Sequence, residues 1–460
     1  MGKNEIYGRV LKRVTPSKSE IEEEKKLAEA IMARIRAVEG SHAEVMAAGS
    51  AARNTHLRGD RDIDIFVLFP KGVKREIFVE EGLRLGKMIF RGHEWEKAYS
   101  EHPYIRGNIG GFDVEVVPSY KIEKGQLPES SVDRSPFHMA YLMEKLTEND
   151  RKEVRLLRQF LKGIGCYGAD LKVSSVPGYV VELLILEYGN FDACLSAVSK
   201  WKDREVIDIE KHHGNGEGLL DRFDGPLVMV DPVDKNRNVS AALSLNQYSR
   251  FIAAARAFLK RPSMNFFFPK EVKPWPLRKV KEMLSKKELV GVKIAYPKTA
   301  LSDILWGQVR RLRKRLVSQM EGMGFVVVRS EDWMDEESAI VMVFELESLE
   351  LQRSERRIGP RVADVQHSEK FLASHKRPIS GPRIEKGRWV IEIARKHVSA
   401  DKFLQDCLKK GRKDAKSDLR KAMNKGTVVM GEKKLIEFYK KNRGFAKFLT
   451  RYLIGKEEFA

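Results

Sequence analysis

Apolar positions along the chain fall into two spacings, and the spacing changes with location. Over residues 17–38, Leu27, Ile31 and Ile35 recur at i+4 on one face, and Ser19 with Glu22 fits a capping box, which predicts an amphipathic helix. IDIFVLF at 63–69, closed by Pro70 and Gly72, reads as a strand. A helix at about 75–88 follows, and FDVEVVPSY at 112–120 supplies a second strand that ends at Pro118. Strands alternating with helices predict an α/β domain. From Ser135 to about Gly165 the spacing becomes helical, with Leu142, Leu146, Val154, Leu157 and Leu161 as a buried stripe. Residues 182–188 and 249–261 extend a largely helical region. Pro262, Pro269, Pro274 and Pro276 preclude a continuous helix over 261–279. Beyond them, 292–298, a helix near 301–322, 325–330 and 339–348 form a strand, helix, strand, strand series, with a further strand in RWVIEIA. A ferredoxin-like or RNA-recognition-like sandwich fits that series.

The 460 residues leave room for roughly three domains at about 150 residues each. The expected division is 1–140 as an α/β domain, 141–270 as a helical central domain, and 271–460 as an α/β domain with a basic helical tail, an α+β multidomain chain. No stretch approaches the roughly 18 apolar residues of a membrane helix. The start, MGKNEIYGRVLKRV, lacks the apolar core of a signal peptide, so a cytoplasmic protein without a membrane partner is expected. Lys and Arg total 85 against 65 Asp and Glu, a formal charge of +20. Such an excess favours a polyanionic partner through counterion release. A charge-rich surface of a heat-adapted protein is the alternative, but enrichment of both signs would leave the balance near zero. Residues 409–425 hold eight Lys or Arg among seventeen, either an RNA contact or a solvated helix face. Cys166, Cys194 and Cys407 are too widely spaced for a zinc pattern.

The stretch AAGSAARNTHLRGDRDIDIFVLFP, residues 47–70, carries the candidate chemistry. Strand alternation turns Asp62 and Asp64 to one side while Ile63, Ile65 and Val67 face the other. Two adjacent carboxylates repel unless a cation lies between them, and hard oxygen ligands suit Mg2+. A third acidic group would complete a two-metal clamp, and Asp113 and Glu115 share one face of the second strand. Asp60 has the same parity as Asp62 and Asp64 and is assigned to the loop. Gly49 lets backbone approach a phosphate, the Ser50 hydroxyl can donate to it, and Arg53 and Arg58 add positive charge. A lone Asp-x-Asp also fits a solvated strand edge. The apolar IFVLF, the Gly-Ser pair and the second acidic strand argue for a site.

Gly-Ser, eleven intervening residues and Asp-x-Asp resemble the signature of the DNA polymerase β nucleotidyltransferase superfamily. GSAARNTHLRGDRDIDIFVLFP, HPYIRG, VEVVPSY, SPFHMAYL, VRLLRQFLKGIGCYGADLKV, PGYVVELL and DPVDKNRNVSAALS resemble, in order and spacing, the archaeal class of CCA-adding enzymes. The match is strongest over about 1–270. The resemblance implies a polymerase β-like catalytic domain over 1–140, a base-recognising helical domain over 141–270, and a tRNA-binding domain over 271–460. It implies template-independent addition of CCA to tRNA from CTP and ATP, with pyrophosphate released and Mg2+ held by Asp62, Asp64 and Glu115. Ser50, Arg53 and Arg158 would meet the phosphates, His138 and Tyr167 would line the nucleotide pocket, and Arg237 would read the base. Ordinary helix packing is the alternative for His138 and Tyr167.

Two departures stand out. The family commonly carries Glu first and Asp third, the reverse of Asp62 and Glu115, which leaves Asp113 open as the third ligand. It often carries Lys where this chain has Arg158, a change that keeps the charge and alters donor geometry. The acceptor and T arms of tRNA are the implied RNA partner, and the resemblance admits a homodimer. A poly(A) polymerase-like transferase and an inactive tRNA-binding relative are the alternatives.

Overall fold

The structure, a computed structural model, describes residues 2–38, 44–99, 102–123, 126, 128–168, 174–214, 216, 218–297, 302–411, 417–457 and 459. Of the basic stretch 409–425, residues 412–416 lie outside the described residues, as do 169–173 of the GADLKV segment. The chain forms two compact units, Met1–Lys270 with Glu457–Ala460, and Glu271–Lys456.

In the first unit, α1 (Lys3–Val14) precedes α2 (Lys18–Arg36). The capping box of α2 is Ser17 with Glu20, two residues earlier than Ser19 with Glu22. Both Ser-x-x-Glu pairs overlap in SKSEIE, and the earlier one starts the helix directly after Pro16, where a helix interior is unavailable. Next come β1 (Glu44–Ala48), α3 (Gly49–Ala52), β2 (Asp62–Pro70), α4 (Arg75–Ile89), β3 (Trp95–Tyr99), β4 (Pro103–Ile109) and β5 (Phe112–Lys121). The sheet order is β1-β2-β5-β4-β3. Only β2 and β5 run parallel, with Asp64 opposite Glu115 and Asp62 opposite Asp113. One face of β2 buries Ile63, Ile65 and Val67 against Ile31 and Ile35 of α2 and Phe78, Leu85 and Ile89 of α4. On the other face Phe66 and Leu68 meet Ala48 and Val117 in a smaller cluster, so β2 is apolar on both sides past its first three residues. The carboxylates therefore sit where the apolar cover of that second face ends.

Helices α5 (Ser135–Lys145), α6 (Glu148–Gly163), α7 (Gly178–Tyr188), α8 (Phe191–Val198) and α10 (Leu245–Lys260) build the rest of the unit, with the one-turn α9 (Leu219–Arg222) between. Leu142, Leu146, Val154, Leu157 and Leu161 are all buried, in one cluster with Ile6 and Val10 of α1. Thr147 and Asp150 close a capping box at the start of α6. This helical region also contains a three-stranded sheet, β6 (Glu205–Ile207), β7 (Leu227–Asp231) and β8 (Asp234–Asn238), which the apolar spacing did not announce. The β7-β8 turn lies in the DPVDKNRNV motif.

The second unit opens with α11 (Leu277–Leu284), directly after Pro276. Its main sheet holds β9 (Glu288–Ala295), β10 (Val327–Met334), β11 (Ala339–Leu346) and β15 (Thr427–Met430), with α12 (Ser302–Met323) between β9 and β10. The order β10-β11-β9-β15, antiparallel throughout, is the ferredoxin-like arrangement. Between β11 and β15 come β12 (Ser354–Arg361), α13 (Val365–Ser374), β13 (Ser380–Glu385) and β14 (Arg388–Ala394), a separate sheet ordered β12-β14-β13, then α14 (Ala400–Gly411) and α15 (Ser417–Lys425). One face of the main sheet packs on α12, α14 and α15. The other packs on α11, α16 (Glu432–Lys441) and α17 (Arg443–Ile454).

Candidate active site

The β1-α3 corner sets the backbone of the site. Gly49 adopts φ +72°, and a Cβ there would lie 1.8 Å from Asp64 Oδ2, so only glycine leaves that carboxylate its place. Asp64, Glu115, Gly49, Arg53, His138 and Tyr179 face one cleft of about 340 Å3. Burial raises the carboxyl of Asp64 to about 6, with the Asp62 charge adding and Arg53 opposing. Burial likewise raises Glu115 to about 7; the Asp64 charge adds, while Arg106 and a hydrogen bond from the Tyr104 hydroxyl (3.3 Å) oppose. Asp62 is also raised, by burial and by Asp60 and Asp113. Asp113 is exposed, accepts a hydrogen bond from Asn108 Nδ2 at 3.1 Å, and does not face the cleft. Asp60 lies in the loop, paired with Lys162 at 2.7 Å.

Asp64 and Glu115 share the cleft with raised proton affinities, to which the Asp62 charge adds, and a hard divalent cation would relieve that repulsion; Asp62 itself is surface-exposed and, like Asp113, outside the cleft lining. Among the described residues no three His, Cys, Asp or Glu side chains converge as a ready-made ion cage.

The other expected residues divide between two places. Arg53 faces the cleft, but its Nε and Nη2 donate to Glu182 at 3.0 and 2.9 Å. Arg158, 2% exposed, stands 5.5 Å from the centre of the Tyr167 ring, and its charge acts on Asp62 rather than on Asp64. Ser50, Tyr167 and Arg237 do not line the cleft. His138 Nε2 lies 2.8 Å from Asp231 Oδ2, the same oxygen that accepts from Arg237 Nη1 at 3.2 Å. Arg58 pairs with Glu20 at 3.2 Å, away from the cleft lining.

Sequence reasoning missed Glu182, Asp231 and Tyr179. Tyr179 packs on His138 with ring centres 4.2 Å apart and planes tilted by 33°, and its buried hydroxyl has no hydrogen-bond partner among the described residues. Glu182 and Asp231 carried one available signal: each is a carboxylate inside an apolar run, VVELLIL and LVMVD, where an unpaired charge is not tolerated.

A parallel strand pair with clustered carboxylates at its head, flanked by a Gly-Ser turn and arginines, defines a nucleotidyltransferase of the polymerase β type. Family models agree domain by domain. The nucleotidyltransferase domain matches residues 25–138, the second domain of tRNA nucleotidyltransferase 152–268, and the C-terminal domain of CCA-adding enzyme 287–431. The CCA-adding enzyme of Methanothermobacter thermautotrophicus is 36% identical over 413 residues, 88% of either chain. That of Haloarcula marismortui is 35% identical over 87% of this chain and 88% of its own. That of Pyrobaculum islandicum is 36% identical over 88% and 92%. The chain belongs to the archaeal CCA-adding enzymes. Nucleotidyltransferases of this kind use divalent metal ions. Among the described residues no helix is long and apolar enough to cross a membrane.

Proposed function

We propose that the protein, acting in the cytoplasm, adds and repairs the terminal CCA of tRNA from CTP and ATP without a template, with Asp62, Asp64 and Glu115 holding Mg2+. The observation that supports Glu115 as the third carboxylate is its place beside Asp64 in one cleft, while the same strand register sets Asp113 opposite Asp62 and outside the cleft lining. Glu in place of the shorter Asp at this position is accommodated by Tyr104, whose hydroxyl fixes the longer side chain.

The RNA 3′ oxygen forms a bond to the α-phosphorus, the bond from that phosphorus to the bridging oxygen breaks, and pyrophosphate leaves with the electron pair while the hydroxyl gives up its proton. Bound Mg2+ would lower the hydroxyl's proton affinity and neutralise charge on the triphosphate. Arg53 at the cleft, with Ser50 and the buried Arg158 outside its lining, would supply the phosphate donors, so catalysis is mainly positioning and charge complementarity. His138, Tyr167 and Arg237 shape the nucleotide and base pocket, with Asp231 setting the directions of His138 and Arg237. In this reading labour divides in three, catalysis in 1–140, base recognition in 141–270 and tRNA binding in 271–460, a division supported by the family models over 25–138, 152–268 and 287–431. The basic residues of 409–425 serve the last of these by phosphate contacts.

Transcripts of tRNA ending before CCA, after C and after CC, incubated with Mg2+ and with CTP and ATP separately and together, test the proposal. Two C and then one A, with growth stopping and Asp64→Ala abolishing incorporation, is the expected result. Repeated A addition without use of CTP would replace it by a poly(A) polymerase, and tRNA binding without incorporation by an inactive relative.

A further inference from the structure

Helix α7 is apolar nearly throughout, and its one acidic residue before the last turn, Glu182, is 0% exposed. A buried carboxylate persists only when its oxygens are matched by donors. Here they come from two distant parts of the chain. Arg53, at the end of α3, donates from Nε and Nη2 to the two oxygens at 3.0 and 2.9 Å, a side-on fork. Thr55 Oγ1 donates to Oε1 at 2.5 Å. Arg158 of α6 brings Nη2 to 3.8 Å from the same oxygen, and its buried Nε has no hydrogen-bond partner among the described residues.

Two guanidiniums face one carboxylate, which leaves one surplus positive charge. A fork pairing fixes the plane of Arg53 while leaving Nη1 uncommitted to any oxygen; its recorded contact is Met139 Sδ at 3.9 Å. Arg53 also lies close enough to Asp64 to lower that carboxyl's proton affinity. The pair therefore joins the cleft holding Asp64 to the arginine beside Asp62.

We propose that Glu182 is a positioning residue, which holds Arg53 and Arg158 in the orientation that receives the nucleotide triphosphate. The proposal rests on the reading of those two arginines as phosphate ligands. A positioned triphosphate clamp is indifferent to the base, so its loss weakens CTP and ATP alike. A merely structural ion pair has no reason to do so.

The experiment measures kcat and KM for CTP, on tRNA ending before CCA, and for ATP, on tRNA ending after CC, in wild type, Glu182→Gln, Arg53→Ala and the double variant. Glu182→Gln keeps the shape and can still accept hydrogen bonds, but drops the charge. Its KM for both nucleotides should rise by a common factor of about 10 to 100, the range for losing a group that orients a ligand. The dissociation constant for tRNA should stay unchanged. The double variant should be worse than Arg53→Ala by less than the full Glu182→Gln factor, because the Arg53 part of the effect is already lost and only the Arg158 part remains. Unchanged nucleotide KM in Glu182→Gln beside a raised KM in Arg53→Ala overturns the positioning role alone, as do additive effects. Unchanged KM in Arg53→Ala removes the phosphate-ligand reading and the proposal with it. If Glu182→Gln does not fold, Thr55→Val, which removes one donor and keeps the ion pair, decides: a smaller rise shared by both nucleotides supports the role, and no rise overturns it.

Discussion

Replacing Gly49 by alanine perturbs the site through one added methyl group. The residue sits at φ +72°, and the new Cβ would lie 1.8 Å from Asp64 Oδ2, whereas real contacts essentially never fall under 3.0 Å. The carboxylate must retreat by about 1.2 Å, the difference of those two distances. A displacement of roughly 1 Å in a reacting group costs on the order of 100-fold in rate. That corresponds to about 2.7 kcal/mol of transition-state stabilisation. The left-handed backbone adds roughly 1–2 kcal/mol of destabilisation for a residue with a Cβ. Gly189, at the end of α7, has φ +82° and nothing within 4 Å of its Cβ position, so Gly189→Ala carries the backbone strain without the clash. Single-turnover incorporation of CMP into tRNA lacking CCA, with thermal melting of both variants, separates the two effects. Both should melt a few degrees lower, and only Gly49→Ala should lose about two orders of magnitude in rate. A Gly49→Ala enzyme within a few-fold of wild type, or a Gly189→Ala enzyme equally slow, would refute the reasoning.

Three further outcomes are expected. Glu115→Gln should lower the incorporation rate by at least about 100-fold, while Asp113→Asn stays within a few-fold, as measured by primer extension at saturating Mg2+; the reverse order would move the third ligand to Asp113. Asp231→Asn, which removes the charge shared by His138 and Arg237, should change the ratio of CTP to ATP use on tRNA ending after CC by about tenfold, and an unchanged ratio would detach Asp231 from base choice. Asp64 and Glu115 have folded values of about 6 and about 7, above the ordinary value of roughly 4, so the folded state holds extra protons between those limits. Their stabilising contribution is fully present below about pH 4 and is lost as pH rises through 6 to 7, so the metal-free melting temperature should fall across that window. Mg2+ should flatten this fall, and so should Asp64→Asn; a profile that neither alters places the titration elsewhere.

The strands bearing the carboxylates were legible because Ile63, Ile65 and Val67 alternate with Asp62 and Asp64. Alternation cannot choose between Asp113 and Glu115, which share a face; that Glu115 and not Asp113 lines the cleft with Asp64 is a property of the folded chain that no local spacing carries. The same holds for Glu182, whose partner Thr55 is 127 residues away. Periodicity shows that such a charge is anomalous in an apolar helix and not what meets it. In the second unit, the strand, helix, strand, strand series was readable because β9 and β11 are long and apolar, while β10 (VVRSEDWM) is mostly polar and only its apolar start, within FVVVRS, stood out. The β12-β14-β13 sheet is charged and half exposed, so only RWVIEIA stood out, and β15 has just four residues. LVMVD of β7 was missed because a short apolar run carries no period of its own.

The ferredoxin-like sheet has one further consequence. RNA-recognition folds of this topology take single-stranded bases by stacking them on aromatic side chains across an open sheet face. Here β11 is buried along its whole length and helices cover both faces, so among the described residues the sheet is an internal partition with no platform to offer a base. Under the proposed division of labour, contact with RNA would fall instead to the outside of this unit's helices and the rim of its small sheet. In that arrangement RNA would be met by shape and backbone charge, which substrates of different nucleotide sequence can share.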